Sequence, residues 1–242
     1  MNPENSSIKS KLALDLFGIQ MQWSLWYIPV VLIIHFIVLR FVPDVEERDL
    51  NLIYFVFQPS KIYMLIIAIL SCFSLMGYAV KNGITRRDYF WGSAVAAVGV
   101  AFSIMILAAI LAGVLELFGL FTAYSSVTNS IAFLDTSSIW IVPVLVLSLI
   151  LLCYYIAGWI IAVGFYRFGG LVGIGFVAIA LLFVSIADLL WEGELSHPLA
   201  VSLDIPFANP SIPFSITATL ILIGLGLWLV RILTKRIPIK VE

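Results

Sequence analysis

The sequence predicts an all-α fold: a polytopic membrane protein of six transmembrane helices, with an N-terminal interfacial helix and a short cytoplasmic helix between the second and third spans. Three observations carry this. The 242-residue chain is 62% hydrophobic and 11% charged, far from the composition of soluble domains. Apolar runs of about 18 or more residues, enough to cross a bilayer, recur at roughly 23–42, 62–80, 92–117, 138–165, 171–190 and 213–233. The runs are continuous, whereas strands of a membrane β-barrel alternate over segments of about ten residues. Residues 1–242 read as a single transmembrane domain.

The segment before the first span, SIKSKLALDLFGIQMQW, reads as a helix over 7–22. Ile8, Leu12, Leu16, Ile19 and Trp23 follow helical spacing and share one face, while Lys9, Lys11 and Gln20 offer polar positions. Such a helix lies in the membrane interface. The first span begins only after about twenty polar or amphipathic residues, so no cleavable signal is expected. His35 falls midway along it and is expected to be a neutral, hydrogen-bonded side chain within the bundle. Spans two, three, four and six carry essentially no charge in their interiors. Cys72 and Cys153 form no CxxC and have no metal-ligand spacing, so they read as small core residues. A helix of about 26 residues reaches about 39 Å, so the third and fourth runs tilt or project past an interface. Asp188 falls near the outer end of span five, within reach of interfacial water, and its spacing to Glu192 and His197 matches no metal-ligand pattern. The loop between spans four and five is the short YRFGG, with Arg167 its only charge and a glycine pair suited to a tight turn. The outer links over 118–137 and 191–212 are longer, and the second carries Pro198, Pro206 and Pro210.

Charge orients the bundle. Six spans put both termini on one side. That side holds Lys9, Lys11, Lys81, Arg86, Arg87, Arg167, Arg231, Lys235, Arg236 and Lys240, leaving Arg40, Arg48 and Lys61 opposite. The positive-inside rule makes the first side cytoplasmic, and the expected location is the cell membrane. Most acidic residues fall on the outer side, Asp44, Glu46, Glu47 and Asp49 among them.

The chain carries no GxxxxGK[ST] phosphate loop, no HExxH and no GxSxG. An ion-coupled carrier or membrane enzyme would have to draw on His35 or Asp188, because buried ionisable groups do that work in membranes. A non-transporting scaffold needs neither. If the protein moves a solute uphill, its energy comes from a partner.

The segment KNGITRRDYFWGS, 81–93, is the most distinctive stretch. Asn82-Gly83 is a strong turn signal. Thr85 with Asp88 three residues on can cap a short helix that starts at Arg86 and runs through Tyr89, Phe90 and Trp91 into span three. Arg86 and Arg87 suit cytosol or lipid phosphate, and the aromatics suit the interface.

Asn82, Gly83, Ile84, Thr85, Arg86, Arg87, Asp88, Tyr89, Phe90, Trp91 and Gly92 resemble the NG-I-[ST]-RR-x-[FY]-[FW]-x-G pattern of permease subunits of type-2 ABC exporters, with the final Gly one position early. The end of span four, YYIAGWIIAVGFYRFGG, is similar to that family's aromatic- and glycine-rich approach to an inner loop with one Arg, here Arg167. The resemblance implies that 82–91 is a coupling helix seated on a separate ABC ATP-binding subunit. Asn82, Gly83, Ile84, Thr85, Arg86, Arg87, Asp88, Tyr89 and Phe90 would form that interface, with Arg167 a second inner contact. It implies a dimer with a second permease copy or a homologous permease, surrounding lipid, and no nucleic-acid partner. ATP and Mg would sit on the partner subunit and this chain would hold no cofactor or metal and perform no catalysis by itself. The 191–212 link would correspond to the outer gate region. Span interiors dotted with Ser71, Ser74, Ser103, Ser148 and Ser185 suit a hydrophobic or amphipathic substrate, peptides included.

Overall fold

The computed structural model describes residues 3–41, 52–117, 141–191 and 211–235, and among these every regular element is helical. In chain order they are α1 (Pro3–Phe41), α2 (Leu52–Leu70), a π-helical turn (Ser71–Leu75), α3 (Met76–Lys81), α4 (Arg86–Leu117), α5 (Ile141–Phe168), α6 (Gly170–Leu189) and α7 (Ile212–Thr234). With α2, the π turn and α3 taken as one span, six helices are long and apolar enough to cross a membrane. They suggest a multi-pass membrane protein.

Three boundaries differ from the sequence reading. The segment 7–22 is helical but is not a separate element: α1 runs unbroken for 39 residues, about 58 Å at 1.5 Å per residue. Its buried face is Leu12, Leu16, Gln20, Ser24, Ile28, Val31 and His35. The expected stripe parts from this face at Ile19 and Trp23, each 36% exposed, and Ile8 lies outside the described side chains. One continuous buried face is the reason for one continuous helix. The second span begins at Leu52, ten residues before the expected start at 62. Gln58, Pro59, Ser60 and Lys61 precede the expected start, yet all four are helical. Ser60 Oγ donates to the Val56 carbonyl at 2.6 Å. Finally, there is no independent helix over 82–91. Residues 82–85 form a turn, and Arg86 opens α4 itself. The remaining spans match the expectation to within three residues.

The helix α5 is the axis of the bundle. Of its most apolar stretch, 78% is buried, against 44% or less for the other spans. It packs on α2, α4, α6 and α7. Glycines allow the close approach: a Cβ at Gly158 would lie 2.2 Å from the Leu65 carbonyl oxygen of α2. Gly164 of α5 receives Phe176 of α6, and Gly173 of α6 receives Phe165 of α5. Small residues at helix contacts are how membrane helices gain van der Waals contact where lipid removes the hydrophobic drive to associate. The α5–α6 link turns at Gly169, whose φ of 81° an L side chain rarely adopts. Large apolar side chains face outward on the peripheral helices, including Trp26, Leu171, Leu182 and Trp228. A soluble protein seldom exposes apolar surface on this scale, and a bilayer solvates it.

Candidate functional site

The expected site residues converge at one end of the bundle, on the turn from α3 to α4. This turn is held at both ends by local hydrogen bonds. Ile84 N–H donates to the Ala79 carbonyl at 3.0 Å and Gly83 N–H to the Val80 carbonyl at 3.0 Å. That pair is a Schellman motif, and it places Gly83 at φ 82°. Asn82 Nδ2 adds a bond to the Tyr78 carbonyl at 2.9 Å. The next helix starts at once. Asp88 N–H donates to Thr85 Oγ1 at 3.1 Å, and the Thr85 hydroxyl donates to Asp88 Oδ2 at 2.6 Å. Thr85 is therefore the N-cap, as the sequence predicts, and the Asp88 carboxylate returns to its hydroxyl. The acidic Asp88 also sits in the first turn, where the helix dipole favours it.

One face of the corner is exposed and the other is anchored. Asn82, Gly83, Thr85 and Arg87 are exposed, and Ile84, Arg86 and Asp88 are half-buried. Tyr89 and Phe90 are buried at 2% and 3% exposure. Tyr89 Oη donates to the Ser71 carbonyl at 2.8 Å, in the π turn of the preceding span. Around it, Gln20 Nε2 donates to Ser71 Oγ and to Tyr155 Oη, both at 3.2 Å. Phe90 stacks on Trp159 of α5 with centroids 5.3 Å apart, and the Arg231 guanidinium lies 5.4 Å from its ring. Two buried rings thus tie the corner to the bundle, Tyr89 to the π turn and Phe90 to the central helix.

Arg167, expected as a second inner contact, is at the same end. Its Nη1 donates to the Leu233 carbonyl at 3.0 Å, while Arg86 Nη1 reaches the Lys235 carbonyl at 3.5 Å. Two arginines from separate spans therefore meet the end of α7, where cations favour the helix dipole. With Lys81, Arg87, Arg231 and Lys235 this end of the bundle is strongly basic.

A second polar place was not legible in the sequence. Lys61, expected in an outer loop, lies inside α2 and is buried. Its Nζ is 3.7 Å from Asp188 Oδ1 of α6. The Tyr154 hydroxyl of α5 donates to Asp188 Oδ2 at 2.7 Å. So the second span does carry an interior charge, and Asp188 is a buried partner at 6% exposure rather than a group at interfacial water. Nearby, Trp191 Nε1 donates to Thr219 Oγ1 at 2.9 Å. His35 is buried against Phe55, with ring centroids 4.6 Å apart. Asp188 and His35 do not share a site: His35 joins α1 to α2, and Asp188 joins α6 to α2 and α5.

Among the described residues no group of His, Cys, Asp and Glu could hold a metal. Glu192, His197 and the links over 118–137 and 192–210 lie outside the described residues. Compared with known proteins, the chain matches no family model, no curated protein and no solved structure.

Proposed function

We propose that this chain is the membrane-spanning permease subunit of an ATP-driven exporter of the type-2 ABC class. It provides the translocation path for a hydrophobic or amphipathic substrate, peptides included, and a separate ATP-binding subunit carries ATP and Mg. In this reading it sits in the cell membrane with both termini in the cytoplasm, paired with a second permease. The chain by itself hydrolyses nothing. One observation carries the reading: the doubly capped, basic α3–α4 corner, exposed along Asn82, Gly83, Thr85 and Arg87 and tied to the core by Tyr89 and Phe90. A docking element that must pass on a push needs a rigid exposed surface and a stiff connection to the bundle. This corner has both.

The test is co-expression with a candidate ATP-binding subunit, followed by co-purification and ATPase measurement in proteoliposomes. Gly83→Pro removes the N–H that bonds Val80 and imposes a φ opposite in sign to 82°. Arg87→Glu reverses an exposed charge. Each is expected to leave expression intact and to lower transport-coupled hydrolysis by at least about tenfold. Unchanged coupling in both variants sinks the docking role.

The buried Lys61–Asp188 pair favours a second reading, an ion-coupled carrier. There Asp188→Asn abolishes transport in the absence of any ATP-binding subunit. A permease of the first kind shows no transport under those conditions, with or without the substitution.

A further inference from the structure

Lys61 has its ammonium set among two aromatic rings and a carboxylate. Its ammonium lies 4.9 Å from the Phe57 ring centroid and 5.5 Å from that of Tyr154. Two aromatic rings and a carboxylate are the chemistry that recognises an ammonium in a desolvated site. Asp188 is positioned for this work by the Tyr154 hydroxyl on Oδ2, while Oδ1, which faces Lys61, is buried and accepts no hydrogen bond. The 3.7 Å separation from Lys61 is outside hydrogen-bonding range. A buried ion pair that serves only to hold helices together is favourable when short hydrogen bonds offset its desolvation. Here Tyr154 gives the carboxylate a short hydrogen bond, but Lys61 and Asp188 share none.

The location allows exchange. Asp188 is next to the C-terminal end of α6, and Lys61, midway along α2, meets it there. The Lys61 side chain keeps 10% exposure and Tyr154 is half-buried, so the box is not fully enclosed. The four-carbon stem lets the Lys61 ammonium move while its helix stays in place. One cation replacing another keeps the buried site neutral, so displacement avoids leaving Asp188 as an unpaired buried charge.

We propose that Phe57, Tyr154 and Asp188 form a binding site for an alkylammonium group, the cationic head of an amphipathic amine or peptide, and that Lys61 is its built-in occupant, displaced outward when the ligand enters. The site goes beyond the exporter reading and requires no ATP-binding partner, so the two can fail separately.

The test uses the full chain in dodecyl maltoside micelles, n-hexyltrimethylammonium as the probe and n-hexanol as its neutral control. Acylation of each lysine by an amine-reactive ester is followed by mass spectrometry, with exposed Lys81 as internal reference. The probe is expected to raise Lys61 acylation relative to Lys81 by about fivefold or more, and hexanol to leave it unchanged, because the occupant and the ligand compete for one box. By calorimetry, Lys61→Met is expected to bind the probe at least about tenfold more tightly than the wild type, since a site filled nine-tenths of the time by its occupant loses that factor in apparent affinity. Adding Asp188→Asn to that variant abolishes the gain. The proposal is overturned if Lys61 acylation does not change, if hexanol matches the probe, or if Lys61→Met binds no more tightly. The wild-type labelling decides by itself should the variant not fold.

Discussion

Gly158→Ala is the sharpest test of how α5 is seated. An added Cβ meets the Leu65 carbonyl oxygen at 2.2 Å, its carbonyl carbon at 2.9 Å and Ala68 Cβ at 3.0 Å, where ordinary contact begins at 3.4 Å. The nearest atom is backbone within a helix, so no side-chain rotation relieves the clash. The helices α2 and α5 must part by roughly 1 Å, which loosens packing along their whole contact, and overpacking of this kind costs up to about 3 kcal/mol. Against that stands the helix propensity gained by replacing glycine, about 1 kcal/mol. The net expectation is a loss of about 2 kcal/mol. Gly175→Ala is the matched control: it lies on an exposed helical face with nothing within 4 Å of its added Cβ, so only the gain of up to about 1 kcal/mol remains. The two variants should therefore differ by about 3 kcal/mol, or at least about 6 °C in thermal unfolding of the purified chain, followed by tryptophan fluorescence. If Gly158→Ala melts with Gly175→Ala, the close approach of α5 to Leu65 is wrong.

Three further outcomes check other parts of the structure. Thr85→Ala removes the acceptor of the Asp88 N–H and should cost about 1 kcal/mol by thermal unfolding; no change would mean that Thr85 caps nothing. Lys61→Met or Asp188→Leu alone should each cost about 3–5 kcal/mol, because each strands a buried charge, while the double variant recovers most of the loss. Additive losses in that cycle would show that the two groups do not interact. Cys72 and Cys153 are free and buried, so neither should react with a maleimide until the chain is unfolded; rapid labelling of the folded chain would place them at a surface.

Two kinds of information separate cleanly in this protein. The span count was legible in the sequence because crossing a bilayer is a requirement on composition over about twenty consecutive residues. The α3–α4 corner was legible for a related reason: Gly83 at positive φ and Thr85 bonded to Asp88 are interactions within a few residues of chain. Glycine's freedom and a hydroxyl cap leave their signature where they act.

Other features were decided only by tertiary contact. Lys61 and its neighbours Gln58, Pro59 and Ser60 look like a polar boundary, but Phe57, Tyr154 and Asp188 give the ammonium a buried place. Two of those partners come from α5 and α6, more than ninety residues further along the chain. Likewise Gln20 and Ser24 interrupt the apolar stripe of α1, and their burial follows from Ser71, Tyr155 and Tyr63 on other helices. Arg86 and Arg167 were each placed at the inner end by charge, but only the packed bundle brings both to the final carbonyls of α7. Hydropathy is a property of each segment against its solvent, whereas a buried polar group is stable only through partners elsewhere in the chain. The sequence by itself therefore determined which segments are long and apolar enough to cross a membrane, and the tertiary structure decided which polar groups go with them.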